Sequence, residues 1–158
     1  MCAKNRRLER RPDILATLKE NNFTISSVVD FSEYESEQVF LEGTGSMILD
    51  RENKICYAAI SIRTDKNLAH KFCSEFDYKP VFFTANQTYS GERLPIYHTN
   101  VMMCVADNYA VVCLDTIDDE KERKDLESCL RNSGKEIIEI SEEQKQRFAG
   151  NMLQVQGN

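Results

Sequence analysis

Two stretches of this sequence match under one ungapped shift of 55 residues, and that duplication limits the fold more than any other feature. The shift takes Ile48 to Met103, Asn53 to Asn108, Ile55 to Ala110, Cys56 to Val111 and Ala58 to Cys113. Each stretch reads as strand, strand, helix, strand. A fixed period near 50 residues is the mark of repeated supersecondary units set side by side as blades or as a solenoid. The plainer alternative is two ordinary hairpins that look alike because strands are apolar. The repeat units are placed at about 40–85 and 95–141, flanked by partial units in a single domain over 1–158.

The elements follow from the hydrophobic pattern. A helix is expected from Arg10 to about Asn21, with Ile14, Leu15 and Leu18 on one face. Phe23 to Val29 reads as a strand, and Asp30 to Gln38 as an acidic surface loop. The first unit has strands at Ser46 to Leu49 and Ile55 to Ile60, a helix from Asp65 to Phe76, and a strand at Tyr78 to Phe83. Pro80 marks that last strand as an edge or a strand start. Asn86 to Pro95 reads as a loop. The second unit has a hairpin from Asn100 to Leu114, a charged helix from about Asp118 to Asn132 stopped by Gly134, and a strand at Glu136 to Ile140. Ser141 opens a short helix, and Met152 to Val155 reads as a final strand with an open edge.

The chemistry concentrates at the two corners that open the units. In Phe40-Leu41-Glu42-Gly43-Thr44-Gly45-Ser46, one carboxylate stands before two glycines that permit a sharp turn and a close approach. The shift places Glu42 on Tyr97, beside His98, so units related by rotation would bring Glu42 and His98 to one pocket. Histidine suits proton transfer near neutral pH, and a fixed carboxylate can hold a cation. Arg63, at the end of a first-unit strand, offers a planar fork for a carboxylate. A surface ion pair with Asp65 explains it equally well.

Composition excludes several classes. The net charge is −6, and the basic residues Lys4, Arg6, Arg7, Arg10 and Arg11 cluster without aromatic interleaving, so no nucleic-acid surface is expected. No apolar run nears the roughly 20 residues that span a bilayer, and no signal peptide is visible. The six cysteines lack CxxC spacing and read as reduced thiols of a cytoplasmic protein. With His70 and His98 as the only histidines, neither a metal nor any other cofactor is expected.

Five segments carry a family resemblance: Asn5-Arg6-Arg7-Leu8-Glu9-Arg10-Arg11, Phe40 to Ser46, Ser61-Ile62-Arg63-Thr64-Asp65, Tyr97-His98-Thr99-Asn100-Val101-Met102-Met103, and Phe148-Ala149-Gly150-Asn151-Met152-Leu153. Together they resemble the guanidino-group-modifying superfamily of arginine deiminases, dimethylarginine dimethylaminohydrolases and amidinotransferases. The nearest branch is the arginine-deiminase-related citrulline-utilisation hydrolases. The resemblance implies an α/β fold, a partial pentein: a five-bladed propeller of ββαβ units with about three blades in this chain. It implies a cysteine nucleophile that attacks a guanidinium or ureido carbon. His98 would act as general acid and base, Glu42 would hold the planar group, and Arg63, Arg7, Arg6 and Asn100 would bind substrate.

Asn100 stands where arginine deiminases carry an acidic residue, and Glu42-Gly43-Thr44-Gly45 replaces their Glu-Gly-Gly-Asp. With those carboxylates gone, a neutral ureido group becomes a reasonable substrate. The family's nucleophilic cysteine lies in a glycine-rich segment with no counterpart here. The chain is therefore expected to be a central piece of such a hydrolase, inactive alone and prone to self-association or to completion by another chain. The alternative is a module that binds arginine- or citrulline-like ligands without catalysis.

Overall fold

The computed structural model describes residues 1–155, except the side chains of Arg6 and Glu9. The duplication is real in three dimensions. In the first unit β1 (Ile48–Asp50) pairs antiparallel with β2 (Ile55–Ala59). Helix α2 (Lys66–Glu75) then crosses over, and β3 (Lys79–Phe83) pairs parallel with β2. The second unit repeats this order with β6 (Met103–Val105), β7 (Tyr109–Val112), α3 (Glu120–Asn132) and β8 (Glu136–Glu139). The hairpin register obeys the 55-residue shift: Ile48 faces Tyr57, and Met103 faces Val112.

Side chains on β2 alternate between two cores, as the two-residue period of a strand requires. Ile55, Tyr57 and Ala59 join the larger cluster, with Met103, Ala110, Val112, Leu126 and Leu130 of the second unit. Cys56 and Ala58 join Met47 and Cys73 in the smaller cluster, which Phe72 of α2 flanks. The continuous apolar run of β2 thus reflects burial on both faces. Asp65 caps α2 by accepting from the Leu68 amide at 2.8 Å. Asp119 does the same for α3 from the Glu122 amide at 2.8 Å, and Gly134 follows α3 with a φ of +81°. Ser141 and Gln144 form a capping box on α4 (Glu142–Gln146).

Four expectations are corrected. Residues 86–95 are not a loop but a hairpin, β4 (Asn86–Tyr89) and β5 (Glu92–Pro95), turned by Ser90 and Gly91 with positive φ at both. Phe23 to Val29 forms no strand: among the described residues no segment pairs with it, and β-propensity without a ladder partner does not make a strand. Met152 to Val155 is likewise irregular, with Leu153 87% exposed. The first helix, α1, shortens to Ile14–Glu20 and buries none of its residues, because no core lies against its apolar side. Among the described residues, no helix is long and apolar enough to cross a membrane.

Candidate functional site

The site begins with how residues 40–46 are held. The backbone turns tightly at Gly43, where φ is +56°, and the Met47 amide donates to the Gly43 carbonyl at 2.9 Å. Buried Ser46 ties the turn together: its hydroxyl accepts from the Glu42 amide at 2.9 Å and donates to the Arg63 carbonyl at 2.8 Å. The Asp65 amide donates to the Phe40 carbonyl at 2.8 Å. The carboxylate of Glu42 is therefore mounted on a backbone with little freedom.

The second corner is pinned to the first. Thr99 is fully buried, and its hydroxyl accepts from the Ala59 amide at 2.9 Å while donating to the Ser46 carbonyl. The Asn100 amide donates to the Gly45 carbonyl at 3.2 Å. The ring of His98 lies over Gly45 so closely that a Cβ there would sit 2.9 Å from Cε1 and Nδ1. Gly45 is thus bare to admit the imidazole. Gly150 plays a similar part behind this corner, where a Cβ would meet the Met102 carbonyl carbon at 2.9 Å.

These constraints bring His98 Nε2 to 2.7 Å from Glu42 Oε2. The two side chains are only 13% and 11% exposed, so their pairing is little screened by water. Glu42 Oε1 accepts from the Cys2 amide at 2.7 Å, and Arg63 Nη1 lies 3.7 Å from Oε2. Burial, the largest influence, pushes the Glu42 pKa up. The Cys2 amide, His98 and Arg63 together outweigh it and hold the carboxyl below its ordinary value. Arg63 also stacks on Tyr97, 4.7 Å from the ring centre, and Tyr97 adjoins the His98 ring at 5.0 Å.

Glu42, His98 and Asn100 line one cleft of about 530 Å³. Arg63 is not among its lining residues but touches Glu42. Arg7 reaches the cleft through Glu35, with Nε 3.3 Å from Oε2. The Arg6 side chain lies outside the described residues.

Residues read as surface turn out to belong here. Glu35, expected in an acidic surface loop, sits in a helical turn (Ser32–Glu37) and lines the cleft with Arg10 and Phe31. The signal available was complementary charge: a basic cluster at 4–11 and an acidic run at 30–37. Cys56, Cys73, Cys104 and Cys113 are buried, and burial raises each thiol pKa, that of Cys113 to about 11. The thiolate is the nucleophilic form, so these four are inert at neutral pH. Among the described residues, no group of three or more His, Cys, Asp or Glu side chains converges as metal ligands.

The structure is similar to ArgZ, described as an arginine dihydrolase from the ornithine–ammonia cycle in cyanobacteria. The apo structure of ArgZ gives a TM-score of 0.66 at 19% identity, covering 97% of this chain and 22% of that one. Its N-terminal domain, covalently bound to a reaction intermediate, gives 0.65 at 20% identity, covering 94% and 49%. A cysteine-to-serine variant of that domain bound to substrate gives 0.60 at 19%, covering 89% and 46%. The chain thus spans about half of that domain. At these identities the likeness shows a shared mixed α/β fold with small sheets. No curated protein matches in sequence. The profile of N,N dimethylarginine dimethylhydrolase, eukaryotic, matches residues 1–158, and the chain belongs to that family.

Proposed function

We propose that this chain carries the acid–base half of a hydrolase acting on guanidino or ureido amino acids such as dimethylarginine, arginine or citrulline. The observation that carries the reading is the 2.7 Å contact between His98 and Glu42 at the mouth of a cleft built by both repeat units. Glu42 holds the nitrogens of the planar group. Attack by a cysteine thiolate on the central carbon gives a tetrahedral adduct. His98 then protonates the departing amine, whose C–N bond breaks to leave a thiouronium-type adduct. The same imidazole deprotonates water, which attacks that adduct and releases the thiolate. Asn100 and Arg7 bind substrate. Arg63 does so too while balancing the charge on Glu42.

The thiolate is supplied from outside this chain: Cys56, Cys73, Cys104 and Cys113 are buried and inert, and the partly buried Cys2 and Cys129 are not among the residues that line the cleft. The two units are blades of a five-bladed propeller, with about three blades present, in one domain over 1–158. The same inert thiols favour a second reading, a ligand-binding module completed by another chain. Assays for ammonia or amine release test the first: the isolated chain is expected to bind citrulline and turn over none of these substrates. Release by this chain alone would overturn the assignment of the nucleophile. Absence of binding by citrulline, arginine and dimethylarginine alike would overturn the site.

A further inference from the structure

The segment Phe148-Ala149-Gly150-Asn151 takes no part in the chemistry above, yet it repeats the build of the two corners that do. A shift of 105 residues takes Gly45 to Gly150 and Met47 to Met152. The same shift sets Gly43 on Phe148, and both have left-handed backbone, with φ of +56° and +66°. One turn hydrogen bond recurs at the matching place in all three. The Ser46 amide donates to the Gly43 carbonyl at 3.1 Å, Val101 to His98 at 3.2 Å, and Asn151 to Phe148 at 3.0 Å. A glycine adopts this conformation freely, but a phenylalanine is strained in it and is kept there by its surroundings. The Ala149 amide supplies one tie, donating to the Gln144 carbonyl of α4 at 3.1 Å.

The segments that follow the three corners gather at one end. Leu49 and Asp50, Val105 and Ala106, and Leu153 and Gln154 line a second cavity of about 380 Å³. Gln154 both donates to and accepts from Asp107, at 2.9 and 2.8 Å. The corners that open these segments therefore sit at the opposite end, with Glu42 and His98. There the third corner presses on the second. A Cβ on Gly150 would lie 2.9 Å from the Met102 carbonyl carbon and 3.0 Å from the Val101 oxygen. Met102 has no room to retreat: it is fully buried, and its carbonyl accepts from the Cys113 amide at 2.9 Å. Its own amide donates to the Thr99 carbonyl at 3.1 Å, so a push on Met102 passes into the turn that carries His98.

Resting on the function proposed above, we infer that residues 148–151 are a third corner whose backbone sets where the His98 imidazole stands over Gly45 and against Glu42. Gly150 is then a positioning residue, and the left-handed backbone at Phe148 is what brings it against Met102. The acid–base pair is held from two sides, by Gly45 in front and by Gly150 behind.

Imidazole NMR of His98, with His70 against Phe82 on α2 as internal reference, tests this without any ligand. Gly150→Ala is expected to move the His98 signals and leave those of His70 in place. Phe148 is 75% exposed, so replacing it leaves the core intact. Phe148→Val, whose branched side chain resists the left-handed conformation, should move His98 as Gly150→Ala does, while Phe148→Gly should not. In citrulline titrations the first two variants should bind roughly 10-fold more weakly, about the worth of one hydrogen bond, and the third as the unmodified chain does. Val81→Ala, a truncation in the core away from this turn, should lower stability and leave His98 in place. Unmoved His98 signals in Gly150→Ala or Phe148→Val, or an equal response to Val81→Ala, would overturn the inference and leave the function standing. Failure of the unmodified chain to bind citrulline, arginine and dimethylarginine would overturn the function, and the ligand-free His98 signals would still decide the positioning.

Discussion

His98 Nε2 and Glu42 Oε2 meet at 2.7 Å although 56 residues separate them in sequence. Neither side chain could find the other without the duplicated hairpins, which carry them on corresponding corners. The imidazole is held on one side by the carboxylate and underneath by the bare backbone of Gly45. The fold supplies a fixed imidazole–carboxylate pair, the geometry that the proposed proton transfer needs.

Gly45 is the test of that support. Adding a methyl group at 2.9 Å from the His98 ring forces the ring to move. Gly45→Ala is expected to cost ~1–3 kcal/mol, the range for overpacking, and to abolish ligand binding. In a His98→Ala background the obstacle is gone, so the same change should cost far less. Urea denaturation of the four proteins in the cycle checks this, and additive costs would contradict it.

Thr99 joins the two units through one hydroxyl. Thr99→Val keeps the shape but strands the Ala59 amide and the Ser46 carbonyl without that partner. The expected loss is about 1–3 kcal/mol, read as a lowered denaturation midpoint with unchanged slope. Because Ser46 anchors Glu42, binding should weaken as well. Full stability in this variant would mean that the corners are held together some other way.

A second buried charge sets the acid limit of the fold. Asp50 and Lys135 are 3% and 2% exposed, with Oδ2 and Nζ 3.2 Å apart. Burial pushes the Asp50 pKa up, but Asn53 and Lys135 outweigh it and leave it lowered. A lowered carboxyl stabilises fully above its unfolded value of about 3.9 and loses that contribution as pH falls through its folded value. Glu42 behaves in the same direction. Stability should therefore drop below about pH 4, and Asp50→Asn should flatten that drop. At neutral pH Asp50→Ala should cost ~3–5 kcal/mol by leaving Lys135 uncompensated. Thermal melts across pH check both.

The repeat was legible because strand burial writes itself into the sequence: β2 is apolar throughout as both its faces are covered. The Glu42 and His98 corners were legible as motifs, and the shift between them predicted their proximity. The β4–β5 hairpin was missed because its strands are mostly polar and its Ser90-Gly91 turn is brief. Glu35 was missed because an acidic run looks the same whether it meets water or a basic cluster from earlier in the chain. Phe23 to Val29 and Met152 to Val155 have strand composition without a partner, and pairing is a tertiary fact that composition does not contain.

The proposed site stands on Glu42 and His98 meeting one ligand together. Following the imidazole NMR signals of the two histidines, His98 and His70, during a citrulline titration tests it most directly. His98 is expected to shift to saturation, His70 to stay still, and Glu42→Gln to abolish the response. A His98 signal unmoved by citrulline, arginine and dimethylarginine, or one that responds equally with Glu42 replaced, would contradict it.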